Sequence, residues 1–442
     1  MTTARERIPI IIGSGLSGMV VSDRLAQADI PHVLIGGPPN DRPRLGESID
    51  PAGTLELLEF YAEFNDFYYK KRWITVFVGH YATACNFGSS LGRTVGLRTM
   101  GFRAPPQFIH VDRVGFDQAL YEKVVASDYC TRVESLVEAV DYTRHTDTIE
   151  ALHLKNGETL QPGYVFDCTN HVRLLGRALE IPIEWLGEPQ RVVFTHYHAG
   201  SETPEQRLFD EEWKHSTNIV RLYADMDGLN GLAWAIPLGS YISVGISLPL
   251  EQADLETEEV LARVEDAYRR RGMDFLEVFN EPKSAIAVPR QQYFYHERAF
   301  GQNWLLVGPS YGQVWFPSSS GVGSSLAAAY LSPRILHSPE VVGRQYQEYV
   351  SGLRESHRVF DRMIAHNHDV MTRELVKVES NRIIAENVKR VARLATMQKG
   401  PLARTFARML MKAATYDGVI QSSCKVYQAE LARQTETIFA YE

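Results

Sequence analysis

Two stretches of this chain have the residue types and spacing to hold an anion through main-chain N–H groups. The first is Gly13-Ser14-Gly15-Leu16-Ser17-Gly18, a G-x-G-x-x-G run. Glycines at these places permit a tight turn and let backbone approach a pyrophosphate, which the positive end of a following helix then holds. The second is the Gly- and Ser-rich segment 308–325, which contains Ser320-Gly321-Val322. Small residues there can expose N–H donors to an anion, and Ser ahead of a small-residue helix also caps well; the two roles are compatible. The other chemistry-bearing residues carry less. His196 and His198 would share one face of a strand, but without a placed carboxylate they make a weak metal case, and no metal is expected. His366 and His368, on a helix, point to different faces. Cys85, Cys130, Cys168 and Cys424 are scattered without a CxxC pair, which fits a reducing, cytoplasmic setting and neither a disulfide frame nor a zinc site.

A G-x-G-x-x-G acts only between a strand and a helix, and the flanking sequence offers both. Ile8 to Ile12 is a β-branched run, Met19 to Gln27 is helix-like, and His32 to Ile35 is a second β run. That second strand should end in Asp or Glu to hold ribose hydroxyls. It ends in Gly36-Gly37, and Asp41 in the following loop could substitute. Val114, Phe116, Leu120, Val124 and Val125 predict a helix over 112–125. Asn156-Gly157 marks a hairpin leading to Tyr164-Val165-Phe166. Between about 190 and 290, strand patterns such as YISVGISL alternate with one acidic helix near 256–271. Trp304 to Val307 is a further strand, Leu326 to Leu331 is helix-forming, and after Pro333 the chain reads almost wholly as helix to the end, broken at Gly400-Pro401. A parallel α/β domain, an inserted β-rich domain and a helical tail account for this order.

Composition limits the alternatives. With 442 residues, 44% hydrophobic and 23% charged, the chain can bury a sizeable core, and disorder as the main state is excluded. A net charge of −8 argues against nucleic-acid binding through bulk charge. No apolar run approaches the roughly 20 residues of a membrane span, and the N-terminus reads as no signal peptide. The tail from Val376 to Lys412 carries nine Lys or Arg against two Glu. A solvated helix covering the main domain is its ordinary meaning, and contact with an acidic carrier protein or a membrane surface is the alternative.

Five segments together resemble the flavin-dependent halogenases, within the wider family of flavin monooxygenases, geranylgeranyl reductases and lycopene cyclases. They are Gly46-Glu47-Ser48 after the second strand; IHVDRVGFDQAL, with Arg113 in a V-x-R-x-x-F-D helix start; YVFDCTNHVRLLGRAL, similar to a D-A-[ST]-G segment with Asp167 first and Asn170 in the glycine's place; GLAWAIPLGSYISVGISLP, similar to G-W-x-W-x-I-P with Trp234 retained and Leu232 replacing the first tryptophan; and NWLLVGPSYGQVWFPSSSGVGSSLAAA, a second flavin loop with Ser319-Ser320-Gly321-Val322 matching and Pro309 where an Asp belongs. They span residues 8 to about 332. The resemblance implies an α/β fold: a Rossmann-like FAD-binding domain (1–72, 108–185 and 286–345), an inserted β-rich substrate domain (73–107 and 186–285) and a helical C-terminal region (346–442).

It also implies FAD as cofactor, with Gly13, Ser14, Gly15, Ser17, Gly18, Glu47, Ser48, Arg113, Asp167, Gly308, Gly321 and Val322 as its contacts. In such enzymes reduced flavin and oxygen oxidise a halide, and the hypohalous acid reaches the substrate by way of a lysine. Lys71, with Lys70 beside it, precedes the run RWITVFVG in the family's manner; a lysine lining an apolar tunnel can carry a depressed pKa suited to proton donation. Trp234 would exclude water, and Ser320 would stand on the halide side. The glutamate of tryptophan-type halogenases is absent, with Ser318 in its place. The implied activity is that of a flavin-dependent halogenase or monooxygenase acting on a hydrophobic or aromatic metabolite in natural-product metabolism, served by a separate flavin reductase, with a substrate that could ride on a carrier protein. Pro309 and Gly36-Gly37 leave two alternatives: a non-redox cyclase or isomerase of the same fold, or a degenerate member that binds flavin weakly.

Overall fold

A computed structural model describes residues 8–78, 81–86, 91–104, 108–200, 217–223, 228–270, 279–313, 320–365, 373–413 and 424–428. The chain divides into two compact units: Met1–Asn65, Arg113–Leu186 and Tyr293–Glu355 in the first, and Asp66–Asp112, Gly187–Gln292 and Ser356–Glu442 in the second.

The β-branched runs of the first unit become a five-stranded parallel sheet in the order Trp304–Leu306, Tyr164–Asp167, Pro9–Ile12, His32–Ile35, Cys130–Val133. The central strands Tyr164–Asp167, Pro9–Ile12 and His32–Ile35 are buried at every position, as strands covered on both faces must be, which is why they read as unbroken apolar runs. Helices Leu16–Ala26, Pro51–Phe60, Arg113–Val125 and Ser320–Ile335 accompany the sheet. A small antiparallel sheet, Val137–Thr143, Thr148–Leu154 and Thr159–Leu160, turns at Asn156-Gly157.

The last of those helices departs from the sequence reading, which started it at Leu326. It begins at Ser320 and carries Pro333 inside it, ending at Ile335. Ser and Gly are weak helix formers, yet this helix packs along Leu16–Ala26 and Pro51–Phe60. Ser320, Gly323, Ser324 and Ser325 are all buried, so their smallness permits close helix contact and tertiary packing overrides propensity.

The second unit holds an antiparallel sheet in the order Ile183–Ala199 (from Gln190 onward), Tyr241–Pro249, Leu232–Pro237, Thr217–Tyr223, Tyr68–Val78, Tyr81–Asn86, Cys424–Gln428, with one parallel pairing between Thr217–Tyr223 and Tyr68–Val78. Helix Thr257–Arg269 covers one face. Its Val260, Leu261, Val264, Ala267 and Tyr268 join Val193, Tyr197, Ala233, Ala235, Ile242, Val244, Ile246 and Leu248 in one apolar cluster. The helix repeat i, i+4, i+7, i+8 meets the strand repeat of two. Full burial of such side chains stabilises by roughly 1.5–3 kcal/mol each.

Downstream the chain is helical through Pro339–Ala365, Arg373–Gln398 and Pro401–Ala413. It is not helical to the end: Cys424–Gln428 is a strand paired antiparallel with Tyr81–Asn86, and Cys424 stands opposite Cys85. The run CKVYQ carries alternation too short to outweigh the helical pattern before it. No described helix is long and apolar enough to cross a membrane.

Candidate functional site

The glycine loop of the first unit sits where Pro9–Ile12 enters helix Leu16–Ala26. Gly13 has φ 104°, and a Cβ there would stand 2.7 Å from the Cys168 carbonyl oxygen; a Cβ on Gly18 would stand 1.8 Å from the Gly13 carbonyl oxygen. No larger residue fits either place. Gly15 is different, since nothing lies within 4 Å of where its Cβ would be. That open space faces the start of a helix that no side chain caps. Uncapped N–H groups and a positive dipole end beside open space form an anion cradle, and a dinucleotide's phosphates fit it. Ser14 Oγ donates to the Gly37 carbonyl (2.5 Å). Ser17 Oγ meets Ser325 Oγ at 2.7 Å, joining the first loop to the second.

In the second loop Gly308 has φ 54°, its Cβ position lies 2.2 Å from Ser325 Oγ, and its N–H donates to the buried Tyr346 hydroxyl at 2.7 Å. Pro309 lies against Gly321, with Cγ 3.4 Å from that residue's Cβ position. Asn170 takes the left-handed backbone (φ 58°), as expected of a residue in glycine's place, and its N–H donates to Ser310 Oγ at 2.7 Å. Asp167 is fully buried and accepts from Thr169 N–H (2.9 Å), Thr169 Oγ1 (2.6 Å) and Leu175 N–H (2.7 Å). Burial pushes its carboxyl up despite those donors. Its oxygens therefore shape the loop 167–175. Ser320 and Val322 are buried in the first turn of their helix, and the Gly321 carbonyl accepts from Ser324 Oγ (3.0 Å) and Ser325 Oγ (2.9 Å). Ser318 and Ser319 lie outside the described residues.

Arg113 holds Asp117 with two bonds (2.9 and 3.0 Å) and donates Nη1 to the Leu45 carbonyl at 3.2 Å. Arg44 joins Asp117 at 2.8 Å. Arg113 thus braces the segment in which Glu47 and Ser48 are buried.

The second unit has a polar and aromatic face of its own. Lys71 lies on Tyr68–Val78, opposite Phe108 and Thr217. It is buried, whereas Lys70 is exposed. On the sheet face away from helix Thr257–Arg269, register places Phe194, His196 and His198 with Gly245, Ser243 and Tyr241, and Trp234 with Gly245. Trp234 is buried, its Nε1 donates to Ser243 Oγ at 3.4 Å, and its ring lies 6.4 Å from Phe194. The Tyr241 ring is stacked by both imidazoles, His196 at 4.5 Å and His198 at 5.2 Å. Its hydroxyl donates to Asp112 Oδ1 at 2.8 Å. Burial first, then the charges of Lys283 and His196, pull the His198 pKa down, against Glu281 and Asp112. His198 Nε2 is buried with no hydrogen-bond partner among the described residues.

The shared face of the two histidines was legible from their spacing, but Tyr241 and Asp112 were not: the signal is strand pairing, which spacing within one strand does not carry. Among the described residues no group of three or more His, Cys, Asp or Glu could hold a metal ion.

No protein-family model matches the chain, and no curated protein matches its sequence. Solved structures do match in fold. The flavin-dependent brominase Bmp2 superposes with a TM-score of 0.62 at 14% identity, covering 92% of this chain and 98% of that one. BrvH, a flavin-dependent halogenase from Brevundimonas sp. BAL3, gives 0.61 at 13%, covering 92% and 97%. PqsL, a probable FAD-dependent monooxygenase from Pseudomonas aeruginosa, gives 0.57 at 18%, covering 82% and 94%. The chain has the fold of flavin-dependent halogenases and FAD monooxygenases, as the five segments implied: a parallel α/β part, an antiparallel sheet and a helical C-terminal region.

Proposed function

We propose that this protein is a FAD-dependent oxidoreductase that uses reduced flavin and oxygen on a hydrophobic or aromatic small molecule, as a halogenase or a monooxygenase. The observation that carries the reading is the open cradle at Gly15, set before an uncapped helix start at the edge of a parallel sheet. Gly13, Ser14, Gly15, Ser17 and Gly18 would hold the pyrophosphate there. Gly308, Ser320, Gly321 and Val322 would line the flavin side, while Asp167, Arg113, Glu47 and Ser48 would keep the neighbouring segments in shape. Segments 1–72, 108–185 and 286–345 make up the proposed FAD-binding domain, 73–107 and 186–285 the substrate domain, and 346–442 the helical region. Bound FAD, once reduced, supplies the electrons that activate oxygen.

The chain's own residues do the rest. Trp234 would exclude water from the reacting centre. The Lys71 ammonium, withdrawn from solvent, holds and delivers a proton at Nζ, and a cation there also suits the passage of an oxidised halogen. A lysine at this place, with the retained Trp234, Ile236 and Pro237 and the run Ser319-Ser320-Gly321-Val322, favours halogenation over hydroxylation. A separate flavin reductase, a carrier-bound substrate and a place in natural-product metabolism belong to the same proposal.

The test begins with the visible spectrum of the purified protein and titration with FAD and reduced FAD. Turnover is then assayed with a reductase, with and without bromide. Tight flavin binding and bromide-dependent product support the reading in full. Oxygenated product without halide keeps the oxidoreductase and removes the halogenase, and turnover under anaerobic, oxidised conditions replaces it with a non-redox cyclase or isomerase. Failure to bind either form of FAD at high micromolar concentration ends it.

A further inference from the structure

The second strand of the parallel sheet lacks a terminal acid, and the strand beside it supplies one. His32–Ile35 pairs in parallel with Cys130–Val133, Ile35 opposite Val133, and Gly36 N–H donates to the Val133 carbonyl at 3.0 Å. Glu134 follows directly, so it emerges at the same edge as the glycine loop, the edge at which open parallel sheets bind their ligands. Its Oε1 lies 3.7 Å from where a Cβ on Gly37 would stand. Gly37 is itself beside the glycine loop, because its carbonyl accepts from Ser14 Oγ at 2.5 Å. The Glu134 carboxylate therefore stands close to where an acidic side chain on the second strand would begin.

The carboxylate is open to solvent, its side chain 62% exposed, with one surface ion pair beside it. Its Oε2 receives Arg132 Nη2 at 3.4 Å, and Arg132 Nη1 donates to the Tyr121 hydroxyl at 2.6 Å. Oε1 accepts no hydrogen bond among the described residues. Asp41, the acid nearest in sequence, is exposed too and, unlike Glu134, makes no hydrogen bond among the described residues.

We propose that Glu134 replaces the missing acid and accepts hydrogen bonds from the ribose hydroxyls of the adenosine half of FAD. This rests on the flavin reading above. A carboxylate accepting from the two neighbouring hydroxyls of a ribose does the same work from either strand, provided it reaches the same point beside the phosphate cradle.

The experiment titrates FAD and FMN into the full chain and into E134Q, E134A and D41N, following flavin fluorescence, with a melting curve for each variant. Loss of a hydrogen bond to a charged acceptor raises the FAD Kd about tenfold in E134Q. FMN has no adenosine, so its Kd stays the same, and D41N matches wild type for both. A 2′-deoxyadenosine analogue of FAD narrows the gap between wild type and E134Q. Unchanged FAD affinity in E134Q, an equal loss for FMN, or a loss in D41N instead overturns the proposal while leaving flavin binding intact. A wild-type chain that binds neither flavin overturns the flavin reading and this inference with it.

Discussion

The two faces of the antiparallel sheet in the second unit use alternate residues of the same strands. On one face Val193, Ala233, Ala235, Ile242, Val244 and Ile246 meet the apolar side of helix Thr257–Arg269. On the other, Phe194, His196, Trp234, Tyr241 and Ser243 are buried as well, yet they are aromatic or polar. Folding alone explains the first set, since hydrocarbon removed from water is its own driving force. It does not explain the second, because a buried imidazole or hydroxyl must recover the hydrogen bonds it gave up. Burial does not separate a core from a site here. The difference lies in what was buried, and beside it His198 Nε2 is buried with no hydrogen-bond partner among the described residues.

That contrast can be broken or sharpened by substitution. The largest effect belongs to Lys71: Lys71→Met keeps the length and removes the charge, and turnover in the bromide assay falls by about 10²–10⁴-fold, the usual range for a lost proton donor, while flavin affinity holds. A loss of less than tenfold would make Lys71 a packing residue. On the hydrocarbon face, Ile246→Ala costs about 2–5 kcal/mol in urea unfolding, and the folded fraction keeps its specific activity. Loss of activity without loss of stability there would erase the distinction between the faces.

A histidine elsewhere in the second unit provides the control for titration. His357 is 2% exposed, and burial pulls its pKa down from 6.5 to about 4. The folded state then resists a proton that the unfolded state takes. The stability is present above pH 6.5 and is lost as pH falls towards 4, by about 3 kcal/mol for this group. His357→Gln flattens that part of the stability-versus-pH curve, and an unchanged curve would show the group titrating normally.

The smallest effect on stability is at His198, whose pKa is lowered in the same sense. His198→Phe keeps the stack on Tyr241 and shifts unfolding at neutral pH by less than about 1 kcal/mol, and it removes the part of the acid loss of stability that falls below the ordinary histidine range. Equal stability-versus-pH curves for variant and parent would show His198 titrating normally.

Local chemistry was well written in the sequence. The strands Pro9–Ile12 and His32–Ile35 were readable because each is an apolar run closed by a turn, and Asn170 because few residues tolerate its backbone. What escaped was decided by partners distant along the chain. Ser320–Ser325 forms helix only because other helices need its small residues. Cys424–Gln428 is a strand because Tyr81–Asn86 offers it an edge. Tyr241 enters the histidine stack through register, and Glu134 meets Gly37 across two strands that have nearly a hundred residues between them. Within a single strand, no spacing reports such neighbours.

The pairing of Cys424–Gln428 with Tyr81–Asn86 also bears on how the protein is made. During translation, at about 5–20 residues per second, the earlier strand waits on the order of tens of seconds for the later one. Throughout that interval an edge with unpaired N–H and C=O groups remains available to other nascent chains, the usual route to misassembly. Addition of this strand is therefore a late event in biosynthesis, and a chain released before residue 424 would leave the ribosome with Tyr81–Asn86 unpaired on that side.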